Sequence, residues 1–444
     1  MENMAPATPQ AENLISTPQT TFTFVRNGDH STQQLDWEKG PDQVRKALAE
    51  TLGARNVAFL LGAGCSSLVL DGVERGIATM APLANEFCAA SGAAENSDGS
   101  GSHAWAFDAS DVSCLAGHGL TLAGDYTRNL ERLMETLHAL RFVLSRTDDV
   151  GDEDEVAKID GMISKVHAFL WERCTTGEFS NGDESVPDLY ESFYRRLVLR
   201  DRSLPRPWIF TTNYDLFNER AMDRLGLPYA NGFSGVIERR FNPATFRYAL
   251  AEQLDISNRK WSAVDGFVYL CKLHGSISWT EDDHGLFPIR ETWPQTAPSK
   301  VMIFPTPAKQ NSSLGSPYSD LFREFQSRIV REQSVLMTMG YAFGDEHLNN
   351  IIYQALTVPT FRLIIFADPD SGGEIAKLRG LRDPRIWIIG GPGPAGETPA
   401  HYFNTIVEHL LPRRPSDRID DAVKLVLQTM TAGSSSEVGT VSAD

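Results

Sequence analysis

The stretch VAFLLGAGCSSLV (57–69) decides how this chain is read. Its first five residues, Val57 to Leu61, are apolar without a break. The run is too short for an average helix. Continuous rather than alternating apolarity marks a strand covered on both faces, as in a parallel sheet. It ends in Gly62-Ala63-Gly64-Cys65-Ser66. Glycines there let the backbone turn tightly and approach a pyrophosphate, and a helix starting after the turn would offer its free N–H groups to the anion. The strict GxGxxG spacing is absent because Ser67 occupies the third glycine position, and no GKS or GKT follows, so a Walker loop is unsupported. A tight strand-to-helix turn without a ligand competes on equal terms with the nucleotide reading.

Working outward, similar apolar runs recur: PWIFTT (207–212), VYLCKL (268–273), VMIFP (301–305), SVLMTMG (334–340), FRLIIFAD (361–368) and RIWIIGG (385–391). Helical patterns alternate with several of them, namely DLFNERAMDRLG (215–226), SDLFREFQSRIVREQ (319–333) and EHLNNIIYQAL (346–356). Strand then helix, repeated, predicts a doubly wound, Rossmann-like α/β fold with a parallel sheet. Residues 92–205 break the rhythm. A Gly/Ser/Asn/Asp-rich link at 95–102 leads into three helical stretches, at 120–146, 155–174 and 188–200. The expected division is a 1–40 N-terminal extension, loose over its first 20 residues; an α/β domain from 41–91 and 206–413; an inserted helical module at 92–205; and a C-terminal helix (416–430) with a disordered tail in 414–444.

The bulk numbers narrow the function. With 41 Lys+Arg against 58 Asp+Glu, the 444-residue chain carries a formal charge of −17, which repels nucleic-acid phosphates at long range. Direct nucleic-acid binding is not expected. The five cysteines, Cys65, Cys88, Cys114, Cys174 and Cys271, are odd in number and show no CxxC spacing, so neither a disulfide framework nor a cysteine zinc site is expected. The N-terminus lacks an apolar signal region, and no apolar run approaches the ~20 residues that span a bilayer. A cytoplasmic protein without membrane contact is the expectation.

Five segments end strands in residues able to do chemistry. The first is the Gly62–Ser66 loop. The second, Thr211-Thr212-Asn213-Tyr214-Asp215, places polar side chains where this fold holds its ligand, although Asn213 or Asp215 could equally cap the next helix. In the third, His274-Gly275-Ser276, the imidazole can act as a base near neutral pH; a lone histidine is more often structural. The fourth is the loop YAFGDEH after Gly340. The fifth is Asp368, which can accept from a ribose hydroxyl or simply close a turn.

The ordered set resembles the sirtuins, specifically the bacterial sirtuin-like NAD hydrolases of antiphage defence, some of which work beside a HerA-type ATPase. Gly62-Ala63-Gly64-Cys65-Ser66 matches the family's GAGxS loop, Thr212-Asn213-Tyr214-Asp215 its QNID motif with Tyr in place of Ile, and Leu273-His274-Gly275 its HG motif. Gly340-Tyr341-Ala342 resembles its GTS segment. The resemblance covers about residues 50–90 and 205–410. It implies NAD as substrate, with Gly62, Ala63, Gly64 and Ser66 around the phosphates, and Asn213 at the nicotinamide ribose positioning a water. It further implies Asp215 at the carboxamide, His274 as general base, and Gly340, Ala342 and Asp368 at the adenosine end. Deacylating sirtuins carry a four-cysteine zinc module after the HG motif, and residues 275–335 hold no cysteine here. Their GIPDFR-type loop is replaced by GIATMAPLANEF (76–87). Both departures favour hydrolysis of NAD to nicotinamide and ADP-ribose, chemistry that requires no metal. A protein deacylase or ADP-ribosyltransferase, and a non-catalytic NAD or ADP-ribose sensor, are the alternatives. A homo-oligomer is expected, since an unrestrained NAD hydrolase would harm its own cell, and a separately encoded HerA-type ATPase is a candidate partner.

Overall fold

The computed structural model describes residues 20–26, 32–92, 103–146, 152–176, 182–197, 200–201, 203–255, 260–264, 266–281, 289–293 and 317–413. The strand expected at 301–305 and the helix expected at 416–430 lie outside the described residues.

A nine-stranded sheet forms the centre. Its strands, in chain order, are β1 (Thr21–Arg26), β2 (Thr32–Asp36), β3 (Asn56–Leu61), β4 (Trp208–Thr211), β5 (Tyr229–Ala230), β6 (Val268–Lys272), β7 (Ser334–Met339), β8 (Arg362–Phe366) and β9 (Ile386–Gly390). Their spatial order is β2-β1-β9-β8-β7-β3-β4-β6-β5. The strands from β9 through β5 run parallel, whereas β1 pairs antiparallel with β9 and β2 antiparallel with β1. From β3 the chain builds outward to β4, β6 and β5, then returns to the other flank of β3 for β7, β8 and β9. That reversal is the switch point at which doubly wound sheets bind ligands. Residues 21–26 and 32–36, read from sequence as part of an N-terminal extension, instead add two strands to one edge. Phe22 and Phe24 are fully buried there, which explains why that segment is ordered.

The sheet separates two cores, as the two-residue period of a strand requires. Val57, Phe59 and Leu61 of β3 face one, and Ala58 and Leu60 face the other. On the first face lie α1 (Gly40–Leu52), α2 (Met80–Gly92) and the module helices α3 (Ala109–Gly117), α4 (Leu130–Leu144), α5 (Asp152–Thr176) and α6 (Ser185–Leu197). After β4 comes α7 (Phe217–Leu225), which packs on α6. On the second face lie α8 (Tyr318–Ile329), α9 (Glu346–Leu356) and α10 (Gly373–Gly380). The module is not a separate body, because its apolar faces continue the first core: Phe193 of α6 meets Phe59 of β3 edge-on at 5.5 Å. In α4, Leu130, Leu133, Met134 and Leu137 are buried within the chain, and only its far end leaves Phe142 and Val143 more than half exposed. A small antiparallel sheet of residues 279–281, 289–291, 239–241 and 233–234 packs Trp279, Phe233 and Phe241 beside the second core.

Strand register fixes where the site must lie. Leu61 is level with both Thr211 and Met339, and Thr211 is level with Lys272. The next residues of four strands, Gly62, Thr212, Leu273 and Gly340, therefore leave the sheet along one line.

Candidate active site

The loop after β3 departs from expectation. It is not followed by a helix. A single 3-10 turn, Ala63–Cys65, gives way to a hairpin of residues 67–70 and 73–76, and α2 begins only at Met80. Its N–H groups are mostly committed within the protein. Gly62 donates to the Met339 carbonyl (2.9 Å), Gly64 to that of Gly340 (3.0 Å), Cys65 to that of Gly62 (2.9 Å) and Ser66 to that of Ala63 (3.0 Å). Ala63 itself is exposed and Gly64 partly so. The glycines serve a backbone-on-backbone contact at the switch point. A Cβ on Gly62 would lie 2.4 Å from the Gly340 carbonyl oxygen, and one on Gly340, whose φ is +60°, would lie 2.6 Å from the Cys65 nitrogen. Cys65 points inward, its Sγ 3.2 Å from the Met339 carbonyl, and burial raises its thiol pKa well above the usual value.

One polar cluster joins the loops after β3 and β4. The Asn213 side-chain amide donates to the Gly62 carbonyl (2.9 Å) and to Ser66 Oγ (2.8 Å). The Ser66 hydroxyl donates to Asp215 Oδ2 at 2.5 Å. The other Asp215 oxygen accepts the Phe217 N–H (3.1 Å) from one position before Leu216, which is the N-cap of α7 and has no side-chain cap of its own. Thr211 holds the turn by donating to the Leu61 carbonyl and accepting the Asn213 N–H, both at 3.0 Å. Ser66, Asn213 and Asp215 are all buried.

A second cluster joins the loops after β6 and β7. His274 Nε2 lies 2.9 Å from Asp345 Oδ2, with both side chains 6% exposed. Asp345 is the N-cap of α9, where its Oδ1 accepts the Leu348 N–H (3.0 Å). Burial pushes its carboxyl pKa up, but the hydrogen bond and charge of His274 and the N–H groups of Leu348 and His347 outweigh that, so it lies below the usual value. Glu131, in the first turn of α4 behind the Asn129 cap, adds a second carboxyl that interacts with His274 and Asp345. Burial raises its pKa, and the His274 charge only partly opposes the rise. Through Glu131 the inserted module adds a charge to the electrostatics of this pair.

Between the clusters lies a buried cation. Lys272 Nζ donates to the Tyr214 carbonyl (3.3 Å), the Asp215 carbonyl, Ser276 Oγ (2.9 Å) and Glu219 Oε1 (3.1 Å). With the Leu273 N–H on the Thr211 carbonyl (2.8 Å) and the Ile277 N–H on that of Tyr214 (3.0 Å), it ties the Asn213 loop to the His274 loop. Gly275, at φ +95°, makes the turn between Lys272 and Ser276 possible.

Of the residues singled out from sequence, Gly62, Gly64, Gly340, Ser66, Asn213 and Asp215 form one connected group, and His274 stands at the same sheet edge. Ala342 is exposed on the β7 loop that also carries Asp345. Asp368 is outside this network: it is exposed, and its Oδ1 accepts the Asp370 N–H (3.0 Å) in a local turn. A cavity of about 600 Å³, lined by Glu346, Asn349, Tyr353, Glu374 and Lys377 among others, opens against α9 and α10 without Asn213 or His274 in its wall. Asp345, Glu131, Lys272 and Glu219 were missed. A lysine inside the apolar run VYLCKL was the available signal for Lys272, because a buried ammonium needs a partner. Nothing in the local sequence of α4 shows that Glu131 reaches His274.

Residues 207–358 match the family model of the SIR2-like domain. The matched segment holds Asn213, Asp215, Lys272, His274, Gly340 and Asp345, and omits the Gly62–Ser66 loop and the helical module. No curated protein matches the chain. The mostly parallel sheet is Rossmann-like, consistent with the SIR2-like match over residues 207–358. Among the described residues, no helix is long and apolar enough to cross a membrane.

Proposed function

We propose that the chain cleaves the bond between nicotinamide and ribose in NAD, releasing nicotinamide and ADP-ribose. SIR2-like domains in general work on NAD, and the observation that carries this reading is the pairing of His274 with Asp345 at the sheet edge that also holds Asn213, Ser66 and Asp215. Nicotinamide is bound to ribose as a cation and leaves as a neutral base, taking the bonding electron pair. The sugar carbon becomes oxocarbenium-like, and a water adds to it and loses a proton. Each part has a candidate. Ser66, Ala63, Gly62 and Gly64 form the floor for the phosphates, with Ala63 the most accessible of them. Asn213 orients the water and the nicotinamide ribose, and Asp215 accepts from the carboxamide. His274 takes the proton, held in orientation by Asp345 as a base is held by a carboxylate. The charges of Asp345 and Glu131 favour a positive sugar in a water-poor site. Gly340 and Ala342 border the adenosine side, and Asp368 remains the acceptor proposed for an adenosine ribose hydroxyl.

Hydrolysis, rather than transfer to a protein acyl group, is favoured by the absence of cysteine from 275–335 and of a Phe-Arg pair in 76–87. Incubating the protein with NAD, with and without an acetylated peptide, separates the two. The reading expects nicotinamide and ADP-ribose at the same rate in both. Nicotinamide released only with peptide, alongside loss of its acetyl group, would make the chain a deacylase; NAD bound but uncut would make it a sensor. A cytoplasmic homo-oligomer that depletes NAD in antiphage defence, with a HerA-type ATPase as candidate partner, completes the proposal on the strength of the resemblance.

A further inference from the structure

A group of metal-ligating side chains lies in the helical module, separate from the clusters at the sheet edge. Cys114 and His118 stand one turn apart at the end of α3, and Glu155 faces them from the start of α5. His118 Nε2 is 2.9 Å from Glu155 Oε1, Cys114 Sγ is 3.8 Å from the same oxygen, and all three ligand atoms lie within 4.8 Å of one another. Tetrahedral zinc bonded to sulfur, nitrogen and oxygen at about 2.3, 2.0 and 2.1 Å sets those atoms roughly 3.3–3.6 Å apart. The Nε2–Oε1 and Sγ–Oε1 separations each lie within about half an ångström of that spacing, and the third is bounded by 4.8 Å.

The surroundings favour a cation. The site is at the C-terminus of α3, with His118 as its C-cap, where the helix dipole is negative. The charges of Glu155 and Asp111 act on Cys114, with Lys158 opposing them. The Cys114 Sγ lies 3.8 Å from Glu155 Oε1, as a weak thiol donor to it. At its other end α3 is tied to α5 by Lys165, which bonds Asp108 (2.9 Å) and Asp111 (2.5 Å). The two ties hold the helices antiparallel.

We propose that Cys114, His118 and Glu155 bind one zinc ion that staples α3 to α5. Zn²⁺ displaces the Cys114 thiol proton to solvent and bonds the thiolate, the neutral His118 imidazole and the Glu155 carboxylate, with water completing the tetrahedron. Paired-cysteine spacing is the wrong pattern to search for such a site. Its trace in sequence is Cys-x-x-x-His on one helix, completed by a glutamate 37 residues beyond the histidine.

The full chain is equilibrated with zinc, freed of excess by gel filtration and analysed for metal, beside Cys114→Ser, His118→Ala and, as a control for thiol loss elsewhere, Cys88→Ser. Wild type and Cys88→Ser should retain one zinc per chain. The other two should bind at least ~100-fold more weakly, while circular dichroism shows them folded. Cobalt(II) in place of zinc should give a thiolate-to-metal charge-transfer band in wild type that Cys114→Ser lacks. A zinc-dependent slowing of amide exchange confined to α3 and the start of α5 would mark the staple. The other described cluster, Glu397, Glu408 and His409, has no sulfur and cannot give that band. No retained zinc in wild type, zinc retained equally by Cys114→Ser, or cobalt bound without the band would each overturn the proposal.

Discussion

Replacing Lys272 by methionine tests how the two halves of the site are held together. The side chain is 2% exposed and its Glu219 partner 9%. Methionine fills a similar volume but strands the Glu219 carboxylate, whose pKa burial already raises against the opposing charge of Lys272. It also removes the donor from the Tyr214 and Asp215 carbonyls and from Ser276. Breaking one side of a buried pair costs about 3–5 kcal/mol. The loss has a pH signature. A carboxyl with a raised folded pKa favours the folded state below its unfolded pKa of ~4.3 and loses that advantage as pH rises through the folded value. The Lys272→Met deficit is therefore greatest near pH 8 and shrinks in mild acid, where Glu219 protonates. Urea unfolding followed by tryptophan fluorescence measures it. Glu219→Gln in the Lys272→Met background should recover part of the loss, because it removes the stranded charge. A Lys272→Met deficit under ~1 kcal/mol at pH 8, or a double variant losing the full sum of the single losses, would refute this account of the buried pair.

Three other perturbations probe the neighbouring parts. Gly340→Ala drives a methyl group against the backbone of Gly64 and Cys65 at positive φ and should cost at least ~2 kcal/mol, whereas Gly344→Ala, with open space around it, should melt like wild type in differential scanning calorimetry. Glu131→Gln removes a half-buried charge whose raised pKa penalises the fold above that pKa, so it should raise the melting temperature at pH 8 and leave it unchanged at pH 4. The same change should slow NAD cleavage about tenfold, equivalent to ~1.4 kcal/mol of transition-state stabilisation, and equal activity in the two proteins would remove Glu131 from the reaction. Asp345→Asn leaves His274 without its charged partner and should lower kcat by about 10²–10⁴-fold with little change in KM, read from steady-state NAD kinetics.

The parallel sheet was legible because its strands are buried on both faces and so appear as unbroken apolar runs; β3, β7 and β9 are the clearest. Edge strands carry no such mark. β2, TQQLD, is polar and gains its place only by pairing with β1, and β5 is two residues long. The loop after β3 misled for a related reason. Gly62 and Gly64 meet Gly340 from a strand that lies next to β3 in space yet far away in sequence, and the helix expected after them is replaced by a 3-10 turn and a hairpin. Asn213 and His274 could be singled out from sequence because they follow strand ends. Asp345 and Glu131 were not, because their importance arises from the meeting of the β7 loop and an inserted helix with His274, a tertiary event that no local pattern records.

The most direct test of the central claim is free nicotinamide released from NAD by the purified wild-type chain, Asn213→Ala and His274→Ala, each first shown to be folded. The account predicts release by wild type and losses of about 10²–10⁴-fold in His274→Ala, with nearly all activity gone from Asn213→Ala as well. Full nicotinamide release by a folded His274→Ala protein, or none by wild type under any condition that keeps it folded, would contradict it.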